Sequence, residues 1–117
     1  MSSYLLNITI DCQRPQLVAR FWAGVTGWPV SQPYSPQEYA VTGPAGVPRL
    51  YFTAVPEPKG AKNRVHLDIV PADRTQDEEI ARLAGLGASV VSDQRPDVGW
   101  VVMADPEGNE FCLEPGS

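Results

Sequence analysis

Asn7-Ile8-Thr9-Ile10-Asp11 near the start of the chain and His66-Leu67-Asp68-Ile69 past its midpoint read as one element written twice. Each alternates polar and apolar residues, the period of a strand with one wet and one dry face. The downstream spacing repeats as well. Asn7 lies twenty residues before Gly27, and His66 lies twenty-one before Gly87. The offset of sixty-two between Gly46 and Gly108 carries Leu50 onto Cys112 and Phe52 onto Glu114. A repeat of this length predicts two copies of one supersecondary unit. It also directs attention to pseudo-equivalent positions, one of which holds the chain's only histidine.

Working outward, Leu6, Ile8, Ile10 and Cys12 form the apolar face of the first strand, with Asn7, Thr9 and Asp11 on the other. Pro15 suits a first helical position. Leu17, Val18, Phe21, Trp22 and Val25 then recur at helical spacing, and Gly27 supplies a stop. Strands are expected at Trp28-Pro29-Val30, Tyr39-Ala40-Val41 and Leu50 to Val55. Turns are expected at Pro33-Tyr34-Ser35-Pro36 and Gly43-Pro44-Ala45-Gly46.

Pro56 to Gly60 reads as a linker. The second copy opens at Arg64, with Val65, Leu67 and Ile69 on its apolar face. Thr75-Gln76-Asp77-Glu78 has capping-box spacing, in which a hydroxyl and a carboxylate satisfy free backbone N–H groups. Ile80, Leu83, Ala84 and Gly87 continue as a helix with a glycine stop. Val90-Val91, Trp100 to Met103 and Glu110 to Leu113 read as strands, the last two joined by a tight turn over Asp105 to Asn109. Each half is therefore βαβββ, and the expected class is α+β, with module 1 about 1–58 and module 2 about 59–117.

Bulk composition narrows the partners. The 117 residues suffice for one domain with a core, and 43% hydrophobic residues exclude a disordered chain. A net charge of −5 argues against a nucleic-acid backbone as partner. Lys59, Lys62 and Arg64 form the one basic cluster and read as a solvated linker. No apolar run is long enough to span a membrane. Met1-Ser2-Ser3-Tyr4 lacks the features of a signal peptide, and two cysteines make no disulfide framework, so the expected compartment is the cytoplasm.

Three motifs carry a family resemblance across essentially the whole chain. Asp105-Pro106-Glu107-Gly108-Asn109 resembles the DPxGN turn of the vicinal-oxygen-chelate superfamily, which includes glyoxalase I, bleomycin-resistance proteins and extradiol dioxygenases. Phe21-Trp22 with Thr26-Gly27-Trp28 resembles the first-helix pattern of its single-domain, glyoxalase-like members. Asn63-Arg64-Val65-His66-Leu67-Asp68 resembles the opening of their second module. The resemblance implies two βαβββ modules forming a half-open curved sheet, with a ligand cleft between them, and members of this length often pair as homodimers. It also implies metal-ligand positions at Asn7, near Leu50, and at His66 and Cys112, of which only His66 carries the usual residue.

The polar strand faces should line the site. The expected ligand-binding residues are Asn7, Thr9, Phe52, His66, Asp68, Trp100 and Cys112, with Trp28, Tyr34 and Tyr39 as further rings around the cleft. Glu114 and His66 are the candidate catalytic pair, with Glu110 a second candidate base. A divalent metal (Zn, Ni, Mn or Fe) would use His66, Cys112 and Glu114, with Asn7 as a weak fourth donor. With so few matched ligands, the expectation is a degenerate site without a metal. Cys112 reads as a small buried hydrophobe before it reads as a nucleophile, and Cys12 as core. The expected function is binding of a small organic molecule. The alternatives are a metal-dependent lyase, isomerase or dioxygenase, and a ligand-sensing domain.

Overall fold

The computed structural model describes residues 2–32 and 35–116; Tyr34 and its neighbour Pro33, expected in a loop beside the cleft, lie outside the described residues. The chain divides into two compact units, Met1–Pro58 and Lys59–Ser117. The first contains β1 (Asn7–Cys12), α1 (Pro15–Thr26), β2 (Val30–Ser31), β3 (Glu38–Val41) and β4 (Arg49–Ala54). The second contains β5 (Asp68–Ile69), α2 (Gln76–Leu86), β6 (Ser89–Asp93), β7 (Val101–Ala104) and β8 (Glu110–Leu113). Each is βαβββ with one four-stranded mixed sheet, ordered β1-β4-β3-β2 in the first and β5-β8-β7-β6 in the second. In both, the first strand runs parallel to the last and the other pairs are antiparallel. The α+β class and the two-module architecture are those expected from the repeat.

The helices begin and end for local reasons. Pro15 occupies the first turn of α1, where a missing N–H costs nothing. Gly27 closes α1 at φ 77°, a left-handed conformation that glycine adopts without strain, and its N–H reaches the Ala23 carbonyl at 2.8 Å. α2 has both halves of the capping box: Glu78 N–H donates to Thr75 Oγ1 at 3.1 Å, and Thr75 N–H donates to Glu78 Oε1 at 2.8 Å. Val18, Ala19, Phe21 and Trp22 of α1 are buried, and α1 lies across β3 and β4. α2 buries Leu83 and, less expectedly, Glu79. The Glu79 carboxylate accepts from Arg82 Nε at 2.7 Å, Arg82 Nη2 at 2.8 Å and Arg74 Nη1 at 3.0 Å, so the buried charge is fully met.

The turn between β7 and β8 fixes where the last strand begins. Buried Asp105 accepts from the backbone N–H groups of Glu107 at 2.9 Å and Asn109 at 3.0 Å, and from the Asn109 amide at 2.9 Å. Gly108 takes φ 89°, and its N–H reaches the Asp105 carbonyl at 2.9 Å. The motif is thus a self-contained hydrogen-bonded clasp that delivers Glu110 to the start of β8.

Strand pairing corrects one inference from the repeat. Thr9 pairs with Tyr51 in the first sheet, and Asp68 pairs with Cys112 in the second. Thr9 stands two residues after Asn7, as Asp68 stands two after His66. Cys112 is therefore the counterpart of Tyr51, not of Leu50, and Glu114 is the counterpart of Thr53, not of Phe52. The cause is one extra residue: Arg49 is third after Gly46, whereas Glu110 is second after Gly108. A slip of one residue turns every side chain of a strand to the other face. Val65, expected on the apolar face of the second module, is 77% exposed, because β5 proper holds only Asp68–Ile69.

Candidate functional site

In the second sheet, alternation puts Phe111 and Leu113 of β8 on the same face as Val101 and Met103 of β7, and all four are fully buried. Glu110 and Cys112 point to the opposite side, sharing it with Val102, Ala104 and Asp68. His66 stands two residues ahead of Asp68, and the ladder reaches back to meet it: Cys112 N–H donates to the Leu67 carbonyl at 2.9 Å. Three different side chains converge as a result. His66 Nδ1 lies 3.8 Å from Asp68 Oδ1 and 3.9 Å from Cys112 Sγ, and the three donor atoms all lie within 4.8 Å of one another. Cys112 is buried, while the other two are open to solvent.

These separations are informative. An N–H···O hydrogen bond spans about 2.7–3.2 Å, so the contact of the imidazole with Asp68 is an ion-pair distance and not a hydrogen bond, while the contact with the larger Cys112 sulfur lies at the long end for a weak one. Two ligands of one tetrahedral ion, each bound at about 2.0–2.3 Å, stand roughly 3.3–3.8 Å apart. Imidazole, carboxylate and thiol also form a donor set suited to zinc, with a fourth position open. The two His66 separations stand at or just above the top of that tetrahedral range, and the group as a whole spans up to 4.8 Å, so the three side chains would have to close in to hold one divalent ion. Asp68, expected as a ligand-binding residue, is the third member of the group. Glu114 lies beyond the strand end, its N–H on the Ile69 carbonyl at 2.8 Å, and is absent from the donor group.

The electrostatics of Cys112 reflect its position. Burial pushes its thiol pKa up, and the charges of Asp68 and Glu114 add to the rise. It is a protonated thiol at neutral pH, which argues against an unassisted nucleophile. Glu110 is engaged otherwise. Its carboxylate accepts Asn63 N–H at 2.9 Å and pairs with Lys59 Nζ at 3.0 Å, and its pKa is lowered chiefly by the Asn63 bond. An ionised, tethered carboxylate of lowered basicity makes a poor general base. Lys59, expected to be merely solvated, is its partner.

The first sheet holds a different set. Asn7, Thr9 and Asp11 of β1 share a face with Arg49, Tyr51 and Thr53 of β4 and with Glu38 and Ala40 of β3. Arg49 Nε donates to Asn7 Oδ1 at 2.9 Å, and its guanidinium carbon stands 5.6 Å from the Tyr51 ring centre. Tyr51 Oη donates to Glu38 Oε2 at 3.0 Å. Sequence reasoning misses Arg49 and Tyr51 because the offset of sixty-two points at their neighbours. Phe52, expected as a ligand wall, is instead 0% exposed on the apolar face with Ile8, Ile10 and Leu50, and half-buried Tyr39 lies beside it in register. Trp28 is also structural: its ring lies so close over Gly43 that a Cβ there would come within 2.4 Å of it. Trp100 is half-buried just ahead of β7, on the alternation of Val102, and its carbonyl accepts Gln94 N–H at 3.0 Å.

The match to known families is consistent with this geometry. The sequence profile of the glyoxalase-like domain matches residues 7–114. The chain belongs to the glyoxalase-like domain family. No curated protein matches the sequence. Solved structures share the fold at low identity. A glyoxalase/bleomycin resistance protein/dioxygenase family enzyme from Burkholderia phytofirmans superposes with TM-score 0.73 at 19% identity, covering 95% of this chain and 97% of its own. The fosfomycin resistance protein FosX from Mesorhizobium loti gives TM-score 0.74 at 18% identity, covering 100% and 94%. A mutant of FosX from Listeria monocytogenes, complexed with Mn(II) and dihydroxypropylphosphonic acid, gives 0.76 at 15%, covering 100% and 95%. No helix among the described residues is long and apolar enough to cross a membrane.

Proposed function

We propose that this glyoxalase-like protein binds a small organic molecule on the polar face of its second sheet, where His66, Asp68 and Cys112 supply the polar contacts. The observation that carries the reading is their convergence beside Val102, which pairs with Cys112 in register. A surface with a few placed polar groups beside apolar ones is the usual form of a ligand site. His66 brings a donor or acceptor according to its tautomer, Asp68 an acceptor, and Cys112 a weak donor that stays protonated. His66 and Asp68 are exposed, so a ligand reaches them directly.

A second reading rests on these three donor atoms lying within 4.8 Å of one another. His66, Asp68 and Cys112 would hold a divalent ion, as the FosX mutant of the same fold is complexed with Mn(II). Such an ion would supply a Lewis acid for a carbonyl or phosphonate oxygen. Asp68 would then orient and charge-balance the site, and Glu114, half-buried on the same side as Cys112, would be the nearest carboxylate left to move a proton.

The test is a calorimetric titration of bleomycin, fosfomycin and the glutathione–methylglyoxal hemithioacetal, each with and without Mn²⁺ or Zn²⁺. The wild type and a His66→Ala/Cys112→Ala double variant are compared. At least one saturable ligand that the double variant loses is expected. The proposal fails if every ligand bound by the wild type binds the double variant equally well. Binding that appears only with the metal favours the second reading.

A further inference from the structure

The first module contains a cavity of about 470 Å³ that the proposed function does not use. Its wall mixes apolar and polar surface, with apolar side chains from Tyr4, Leu5, Leu6, Val47 and Pro48, and Arg49 is the one charged residue lining it among the described residues. The volume is in the range of small-ligand sites. Tyr4, Leu5, Leu6 and Val47 of this wall are all exposed, so a ligand reaches them from solvent.

Arg49 is held at one nitrogen and free at two. Its Nε is spent on Asn7 Oδ1 at 2.9 Å, and the guanidinium rests near the Tyr51 ring. Among the described residues neither Nη has a partner, and no carboxylate pairs with this arginine. Glu38, on the same sheet face, is taken by Tyr51 Oη at 3.0 Å and Ser35 Oγ at 3.4 Å. Arg74, Arg82 and Arg95 have carboxylate partners, whereas Arg49, like Arg20 and Arg64, has none among the described residues; Arg49 alone of these three lines the cavity. A fixed fork with two idle donors suits a planar or tetrahedral oxyanion, which it would grip bidentately. In a chain of net charge −5, an anion gains little from the general field and needs such a local cation.

We infer that this cavity is a binding site for an amphipathic organic anion, whose apolar body lies against Tyr4, Leu6 and Val47 and whose carboxylate, sulfonate or phosphonate is held by Arg49. Every residue lining the site belongs to the first module.

The test uses two fluorescent probes with similar aromatic bodies. Anilinonaphthalene sulfonate carries an anion, and N-phenyl-1-naphthylamine carries none. Arg49→Gln can keep the bond to Asn7 while removing the charge, so it should lower sulfonate affinity about tenfold or more and leave the neutral probe unchanged. Arg49→Lys should retain part of the sulfonate affinity. Val47→Glu on the wall should weaken both probes, and His66→Ala/Cys112→Ala should weaken neither. Far-ultraviolet circular dichroism checks that each variant is folded. The inference is overturned if Arg49→Gln binds the sulfonate as well as the wild type does. It is equally overturned if both probes lose affinity in parallel in Arg49→Gln, or if the sulfonate site disappears with His66 and Cys112.

Discussion

Replacing Phe52 with alanine separates the two possible faces of β4. If Phe52 lined a ligand site, truncation would weaken binding and barely touch stability. The register instead places it on the apolar face, fully buried between Ile10 and Tyr39 in the pairing. A phenyl ring buries about 150 Å² or more, and at about 25 cal/mol per Å² its loss costs about 4 kcal/mol. The cavity left behind keeps the total in the range of about 3–5 kcal/mol seen for Phe→Ala in cores. Against a domain stability of about 5–15 kcal/mol, that is a large share. Urea unfolding monitored by circular dichroism should show the loss directly, and thermal unfolding should drop by roughly 10–20 °C. Tyr51→Phe on the opposite face is the control. It removes only the hydroxyl bonded to Glu38, and should cost about 1 kcal/mol. A Phe52→Ala protein within about 1 kcal/mol of wild type, well short of the core range, would refute the register and restore Phe52 to the ligand side.

Two further expectations concern the scaffold. Glu79 is buried against Arg82 and Arg74, and its pKa is lowered chiefly by the Arg82 bond. A carboxyl with a depressed folded pKa adds stability that is present above its unfolded pKa and is lost as pH falls through the folded one. Glu79→Gln should therefore cost about 1–3 kcal/mol at pH 7, less than for a fully buried pair because both arginines are about a third exposed. The gap from wild type should close as pH drops below the ordinary glutamate range, as read by denaturant midpoints. Gly43→Ala should cost about 1–3 kcal/mol, since its Cβ would strike the Trp28 ring; near-ultraviolet dichroism of that tryptophan should change with it. An unchanged spectrum and stability would show that the ring packs elsewhere.

Much of the fold is legible in the sequence because it rests on local signals. The alternation around Asn7 and Asp68, the Thr75 box and the glycine stops at 27 and 87 are each read within a few residues. The turn from Asp105 to Asn109 is legible for the same reason: its bonds are internal. The site is harder because it depends on register. Alternation alone places His66, Asp68 and Cys112 on one face. The ligand role given to Glu114 comes from carrying the alternation on past Cys112, where the strand ends at Leu113. The wall role given to Phe52 comes from counting from a glycine, and one extra residue between Gly46 and Arg49 defeats the count. Arg49 and Tyr51 are hidden by the same slip. Glu79 gives no signal at all, since a charged residue in a helix normally faces water, and only the two arginines that reach it allow burial.

The proposed function turns on His66, Asp68 and Cys112, without Glu114, forming one donor cluster. The most direct measurement is a Zn²⁺ titration read on the imidazole resonances of His66, unambiguous because the chain has a single histidine. The ion serves as a probe of convergence whether the natural ligand is organic or metallic. The expected result is one bound Zn²⁺ per chain that shifts the His66 signals, with affinity about tenfold or more weaker in both Asp68→Asn and Cys112→Ser, and unchanged in Glu114→Gln. Zn²⁺ that leaves the His66 signals unmoved, or that is lost with Glu114 and kept without Asp68, would contradict the cluster.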